Sequence, residues 1–211
     1  MNKRKTLSRN PGRGRPLVIV VSGPSGAGKT TLCRRLLNAS PGMVYSISCT
    51  TRAPRGGEVN GRDYFFLSEE EFARRAEAGE FLEQAVVHGQ RYGTLAETVR
   101  AALAAGRDVL MDIDVQGAAQ IRDGVRDEPG REEIRRGFTD FFVAPPSSVE
   151  LEQRLVRRAE DPPGAVARRL RNAEDEMKSA GRFRHVIVND DLDRACREMK
   201  DAIEHERQAR D

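Results

Sequence analysis

The residues best suited to chemistry in this sequence form a glycine-rich run that fits the pattern G-x-x-x-x-G-K-[ST]. In such a loop the glycines let backbone N–H groups approach phosphate oxygens, and the helix that follows adds a positive field. We therefore expect Lys29 to reach the β- and γ-phosphates of a nucleoside triphosphate, and the Thr30 hydroxyl to ligate Mg²⁺. The predicted triphosphate-binding residues are Gly23, Pro24, Ser25, Gly26, Ala27, Gly28, Lys29, Thr30 and Thr31. The alternative is an ordinary glycine-rich turn, and the loop alone does not tell whether phosphate passes to water or to an acceptor.

A second group of candidate residues lies in the polar segment that follows position 48. Arg52 and Arg55 stand three apart in a proline-containing loop, and Tyr64 follows them. Guanidinium groups and tyrosine hydroxyls are well suited to holding a phosphate monoester. The residues by themselves leave open a solvated loop and, for Tyr64 and Tyr92, a place in the core.

Composition argues against a membrane-spanning, a secreted or a disulfide-rich protein. The chain of 211 residues is 33% charged, with a net charge of +3, and its first fifteen residues are rich in Lys and Arg without any acid. We interpret this tail as disordered, with a weak contact to an anionic surface as the alternative. We expect no membrane span and no signal peptide. Three widely spaced cysteines and three histidines suit neither a disulfide framework nor a metal site.

The elements around these residues alternate between strand and helix, which predicts an α/β fold with a parallel sheet. Apolar runs at 17–21, 109–114, 138–144 and 185–188 are typical of buried strands. Capping-box patterns begin helices at Ser68 and Ser147. The segment 44–93 is strand-rich and suggests a separate small lobe. The charged segment 123–137, with two glycines and a proline, is interpreted as a flexible insertion that forms no site.

The chain also resembles the guanylate kinase family. The matching stretches span about 17–195 in the family's order and are SGPSGAGKTTL, SCTTRAPRGGEVNGRDYFF, EFLEQAVVHGQRYGT, DIDVQGA, APPS and VIVNDDLDRA. The resemblance implies a P-loop NTPase core with a parallel sheet flanked by helices, a small strand-rich GMP-binding lobe and a helical lid. We expect the tail at 1–16, the core at about 17–47, 96–150 and 181–211, the lobe at about 48–95 and the lid at about 151–180.

The resemblance also implies roles for single residues. The guanine end of GMP would be held by Ser48, Glu83, Thr94 and Asp112, and its phosphate by Arg52, Arg55, Tyr64 and Tyr92. The triphosphate and the transition state would be held by Lys29, Arg52, Arg154, Arg158 and Arg169. Asn189 would contact ATP on the adenine side. Apart from the resemblance, Asp112 and Asp114 end a buried strand beside the phosphate loop, where a metal-linked carboxylate would lie, and we expect Asp114 to join Thr30 at the metal. From the residues alone, Glu83 could instead face solvent, Asp112 and Asp114 could simply end a strand, and the Arg-rich helix could be a solvated face.

One departure from the family pattern lies near the lid. The family reads Arg-Leu-x-Gly-Arg-Gly there, and this chain reads Arg154-Leu155-Val156-Arg157-Arg158-Ala159. Both glycines are lost, which leaves open whether Arg157 or Arg158 does the work of the family's arginine.

The expected reaction is transfer of the ATP γ-phosphate to GMP, and to dGMP, giving ADP and GDP in purine nucleotide metabolism, with Mg²⁺ as the cofactor. We expect a cytoplasmic enzyme that binds these small molecules, with no nucleic-acid or membrane partner and an undetermined oligomeric state. Two alternatives remain at this point. One is a related binding module for phosphopeptides that has lost catalysis, against which the intact Gly28-Lys29-Thr30 argues. The other is a kinase of phosphorylated sugars, which would not need Ser48, Glu83 and Thr94.

Overall fold

The computed structural model describes residues 14–87, 89–128, 130–157 and 165–210. Its strands, in chain order, are β1 Val18–Ser22, β2 Met43–Tyr45, β3 Cys49–Thr50, β4 Phe65–Phe66, β5 Phe81–Val87, β6 Gln90–Leu95, β7 Asp108–Asp112, β8 Phe138–Ala144 and β9 His185–Val188. Its helices are α1 Lys29–Ala39, α2 Glu69–Glu77, α3 Ala96–Ala104, α4 Val115–Asp127, α5 Glu132–Gly137, α6 Ser148–Arg157, α7 Ala165–Met177 and α8 Leu192–Gln208.

The central sheet has the strand order β2-β7-β1-β8-β9, and its neighbouring strands all pair in parallel. Successive side chains of β1 point to opposite faces, so Ile19 and Val21 pack beneath α1 and α8, while Val18 and Val20 pack toward α3 and α4. Both faces are therefore covered, as a parallel sheet requires. The predicted fold class is confirmed.

A second sheet of order β4-β3-β6-β5 forms the small lobe. Within it β6 pairs antiparallel with both β3 and β5. Phe72 of α2 stacks on Phe81 in the lobe's own buried cluster, with ring centroids 4.5 Å apart. The predicted Ser68 cap is present, since its hydroxyl accepts from the Glu71 N–H at 3.1 Å.

The interpretation of 123–137 as a flexible insertion is wrong for its described residues. α4 continues to Asp127, and α5 occupies the end of the segment. Ile134 of α5 is fully buried in the core beneath the central sheet. The abundant charges hid this from the sequence, because a single apolar residue anchors a short helix whose other side chains face water.

The structure describes the predicted lid and tail only in part. α6 and α7 pack through Leu151, Leu155 and Ala173. Residues 158–164 of the predicted lid, and 1–13 of the predicted tail, lie outside the described residues, as does Arg158. Within the described ranges, no helix is both long and apolar enough to cross a membrane.

Candidate active site

The glycine-rich loop lies at the carboxyl end of β1 and leads into α1. Gly28 has a φ of 92° and caps α1, and a Cβ added there would lie 2.3 Å from the Asn189 Nδ2 atom. A Cβ on Gly23 would lie 2.3 Å from the Val143 carbonyl oxygen. These contacts explain why only glycine fits both positions. The loop leads directly into the N-terminus of α1, and anions bind at helix N-termini.

Lys29 closes over its own loop. Its Nζ donates to the Gly23 carbonyl at 2.6 Å and to the Pro24 carbonyl at 3.2 Å. The ammonium group is thus held at the loop's mouth, where a triphosphate would exchange these neutral carbonyl partners for charged oxygens.

A cavity of about 540 Å³ opens beside this loop and extends to the small lobe. Predicted residues from both sides line it: Gly23, Ser25, Gly26, Gly28, Lys29, Thr30, Thr31, Ser48, Arg55, Tyr64, Glu83, Tyr92, Asp112, Asp114 and Arg169. The fold therefore joins the predicted triphosphate loop and the predicted acceptor lobe in one space.

Glu83 is a buried carboxylate of this cavity. It is 5% exposed, and the buried Thr94 hydroxyl donates to its Oε1 at 2.7 Å. Burial raises the pKa of Glu83 to about 7, against the hydrogen bond from Thr94, and nearby Asp114 adds to the rise. On the other side of the carboxylate, a Cβ on Gly117 would lie 2.6 Å from Oε2.

The two aspartates at the end of β7 have different surroundings. The Thr30 hydroxyl donates to Asp112 Oδ2 at 3.1 Å, and burial raises the pKa of Asp112 against the opposing charge of Lys29. Asp114 instead caps α4 by accepting from the Gly117 N–H at 2.7 Å. Asp112 thus lies with the triphosphate loop, and Asp114 lies on the side of Glu83.

Six predicted residues that the structure describes do not line the cavity, namely Pro24, Ala27, Arg52, Thr94, Arg154 and Asn189. Arg52 forms a two-pronged ion pair with Glu58, at 2.8 and 3.0 Å. Arg154 bonds Glu150 and donates to the Asn189 carbonyl, both at 3.0 Å. Asn189 is buried and donates from its side chain to the Ala27 carbonyl at 2.7 Å, so in this structure it supports the loop from behind.

The lining residues that the sequence analysis missed include two polar residues of α7, Asn172 and Glu176. They follow Arg169 at the third and seventh positions and therefore share its face of the helix. Burial raises the pKa of Glu176, while Lys29 opposes the rise. Their helical spacing from Arg169 is the signal that could have identified them in the sequence.

The comparisons with known proteins now bear on this geometry. The family model described as guanylate kinase matches residues 13–206. The chain belongs to the guanylate kinase family. As a member of this family it is a nucleoside monophosphate kinase that phosphorylates GMP to GDP with ATP as the donor.

Relatives within the family match over most of their length. A guanylate kinase of Nitratidesulfovibrio vulgaris is 49% identical over 88% of this chain and 85% of its own. One of Deinococcus radiodurans is 47% identical over 94% of this chain and 79% of its own. The crystal structure of guanylate kinase from Anaplasma phagocytophilum is similar with a TM-score of 0.71 and 29% identity, covering 92% of this chain and 88% of that one.

Proposed function

We propose that the enzyme transfers the γ-phosphate in line from ATP to GMP, and to dGMP, with Glu83 as the group that selects guanine. The observation that carries this proposal is the placement of the triphosphate loop and of the Glu83–Thr94 pair around one cavity. Guanine presents donors at N1–H and the 2-amino group, whereas adenine presents an acceptor at N1. An ionised carboxylate only accepts hydrogen bonds, so it favours guanine.

In this proposal Asp114, together with Glu83, contacts the guanine base of GMP, and Asp112 lies beside the phosphates of ATP. The assignment exchanges the roles that the sequence analysis expected for the two carboxylates. It rests on the Thr30–Asp112 hydrogen bond of 3.1 Å and on the charge of Asp114, which is felt at Glu83.

Basic and tyrosine side chains would hold the phosphates. Arg55, Tyr64 and Tyr92 line the acceptor side and would take the GMP phosphate, which suits charge-assisted bonds from a guanidinium. Lys29 and Arg169 line the donor side. The positions of Arg52 and Arg154 lead us to propose that they reach phosphate only after the ion pairs with Glu58 and Glu150 are exchanged, when lobe and lid close. The proposed roles of Arg158 and of Asn189 toward ATP stay predictions.

The oxygen donors at the phosphate end fit Mg²⁺. The Thr30 hydroxyl and the Asp112 carboxylate are hard ligands on adjacent elements, and Mg²⁺ is commonly held by one or two such groups together with substrate phosphates. When bound, Mg²⁺ would neutralise charge on the β- and γ-phosphates.

The protein's own contribution to the transfer is to orient two anions that repel each other and to exclude water. The GMP phosphate, held on the lobe side, would face the γ-phosphate held by Lys29, and the phosphoryl group would pass directly to the acceptor oxygen. No side chain needs to carry it covalently. We further propose that the reaction takes place in the cytoplasm as part of purine nucleotide metabolism.

A coupled assay of ADP release with GMP, dGMP, AMP, CMP and UMP tests the proposed selectivity. We expect activity with GMP and dGMP and little with the others. Ribose phosphates in the same assay should give none, and equal activity with GMP and AMP would contradict the proposed selection of guanine.

The metal assignment has its own test. Asp112→Asn should weaken Mg²⁺ binding strongly, so that kcat reaches half of its maximum only at a much higher Mg²⁺ concentration. Asp114→Asn should instead raise KM for GMP. If the two variants show the reverse pattern, Asp114 is the carboxylate at the metal.

A further inference from the structure

Side chains from outside the small lobe hydrogen-bond the backbone on both sides of Glu83. Gln120 of α4 bonds Gln84 twice, accepting from the Gln84 N–H at 3.0 Å and donating to the Gln84 carbonyl at 2.7 Å. Arg131 donates to the Leu82 carbonyl at 3.2 Å. Glu83 thus lies between two residues whose main chains are anchored to the core.

These bonds fall on the open edge of the lobe. β5 is the last strand of the small sheet and pairs with β6 on one side only. An edge strand leaves N–H and C=O groups without strand partners. Gln120 and Arg131 therefore take the place of a neighbouring strand over the residues that flank Glu83.

Arg131 is itself tightly held. Its side chain is 12% exposed and pairs with Glu128 at 2.6 Å. It lies across Gly124 of α4, where an added Cβ would be 2.4 Å from Arg131 Nη1. The segment that brings Arg131 to this place is the charged stretch 123–137, whose α5 is anchored by the buried Ile134.

The opposite side of Glu83 leaves little room for error. Its Oε1 accepts from Thr94, and its Oε2 faces Gly117 so closely that a Cβ there would lie 2.6 Å away. A carboxylate that must meet two donors of a base works only if its position is held within a fraction of an ångström. The strand backbone sets that position, because Glu83 projects from it.

We propose that Gln120 and Arg131, together called the β5 brace, are positioning residues for guanine recognition, and that segment 123–137 serves to place Arg131. The inference rests on the proposed role of Glu83. The brace touches no residue of the triphosphate loop in the bonds described, so it acts on acceptor selection and leaves ATP binding alone.

Steady-state kinetics on Arg131→Met and Gln120→Ala test the brace. Each variant loses hydrogen bonds worth roughly a three- to tenfold change. We expect kcat/KM for GMP to fall by about that factor and the preference for GMP over AMP to shrink in parallel, with KM for ATP unchanged. Arg131→Lys, which keeps a donor, should recover part of the loss. Arg135, an exposed arginine of α5, which begins directly after Arg131, provides the matched control, and Arg135→Met should behave as wild type.

A double-variant cycle with Glu83→Gln separates positioning from general loosening. If the brace acts through Glu83, then Arg131→Met causes no further loss of GMP preference in the Glu83→Gln enzyme. The exposed Gln120 side chain makes Gln120→Ala the variant least disturbing to folding, and thermal unfolding of each variant checks this.

The outcomes distinguish the two proposals. Should Glu83→Gln reduce the GMP preference while neither brace variant does, the brace is overturned and the role of Glu83 stands. If Glu83→Gln itself leaves the preference unchanged, both proposals fall. Fully independent losses in the double variant would also overturn positioning through Glu83.

Discussion

The titration of Glu83 should govern how the enzyme uses GMP as pH changes. The side chain is buried, and burial raises its pKa from an ordinary 4.5 to about 7, with Thr94 opposing and Asp114 adding to the rise. The protonated acid presents a donor where guanine also presents donors. The proposed acceptor is therefore available only above this pKa.

The expected effect follows from the fraction of ionised carboxylate. At pH 6 about one-tenth of a group with a pKa of 7 is ionised. Because kcat/KM reports the groups of the free enzyme, its value for GMP should fall about tenfold between pH 8 and pH 6. The kcat/KM for ATP, measured at saturating GMP, should not show this tenfold fall.

The assay must separate Glu83 from the phosphate of GMP, which also titrates, with a second pKa of about 6. Glu83→Gln provides the control, because it retains the phosphate titration and removes the carboxylate. We expect its kcat/KM for GMP to lie at least a hundredfold below wild type at pH 8, since buried polar groups that lose their partners can cost more than that. The difference between the two enzymes should narrow at lower pH.

Stability should change in the opposite direction to activity. A carboxyl group with a raised pKa in the folded state disfavours folding once it ionises, so wild-type stability falls from pH 4.5 toward 7. Glu83→Gln stays neutral and should be more stable than wild type above pH 7, by at most about 3 kcal/mol. Denaturant unfolding at pH 5 and pH 8 measures this difference. Identical pH profiles of kcat/KM for the two folded enzymes would refute the reasoning.

Three further variants test other parts of the cavity. Lys29→Met should lower kcat by about 10²–10³ without unfolding the chain, and a variant that keeps a tenth of wild-type kcat would remove Lys29 from the transferring phosphate. Arg55→Ala should raise KM for GMP about tenfold or more with little effect on KM for ATP, while the exposed Arg62→Ala serves as its control. Asn189→Ala leaves the Ala27 carbonyl without its partner, so KM for ATP should rise and the free energy of unfolding should fall by about 1–3 kcal/mol, both measurable by kinetics and denaturation.

Local chemistry carried most of the fold prediction. The strands Phe138–Ala144 and His185–Val188 have the bounds that their apolar patterns predicted. The Ser147 hydroxyl accepts from the Glu150 N–H at 3.1 Å, as its capping box predicted. Such signals are readable because a cap or a buried strand depends on residues a few positions apart.

Other elements depend on distant partners and were not readable. The strand Gln90–Leu95 has a glycine inside it, and it forms because β3 and β5 lie on either side. A Cβ on Gly93 would lie 2.9 Å from Phe81 Cδ1, so only glycine lets the Phe81 ring pack against β6 at this position. Likewise α5 exists because Ile134 finds a pocket beneath β1, and nothing nearby in the chain supplies that pocket.

The sequence by itself determined the chemistry of the triphosphate loop and the α/β class, because each is written in residue types at short spacing. The acceptor-side residues came from the resemblance to the family, and only part of the predicted set lines the cavity. The tertiary structure alone decided which of two aspartates, two positions apart, stands beside Thr30 and which beside Glu83. It also decided that Arg131 reaches the strand of Glu83. The physical reason is that hydrogen bonds and charges act over a few ångströms in space, and folding alone sets which distant residues come that close.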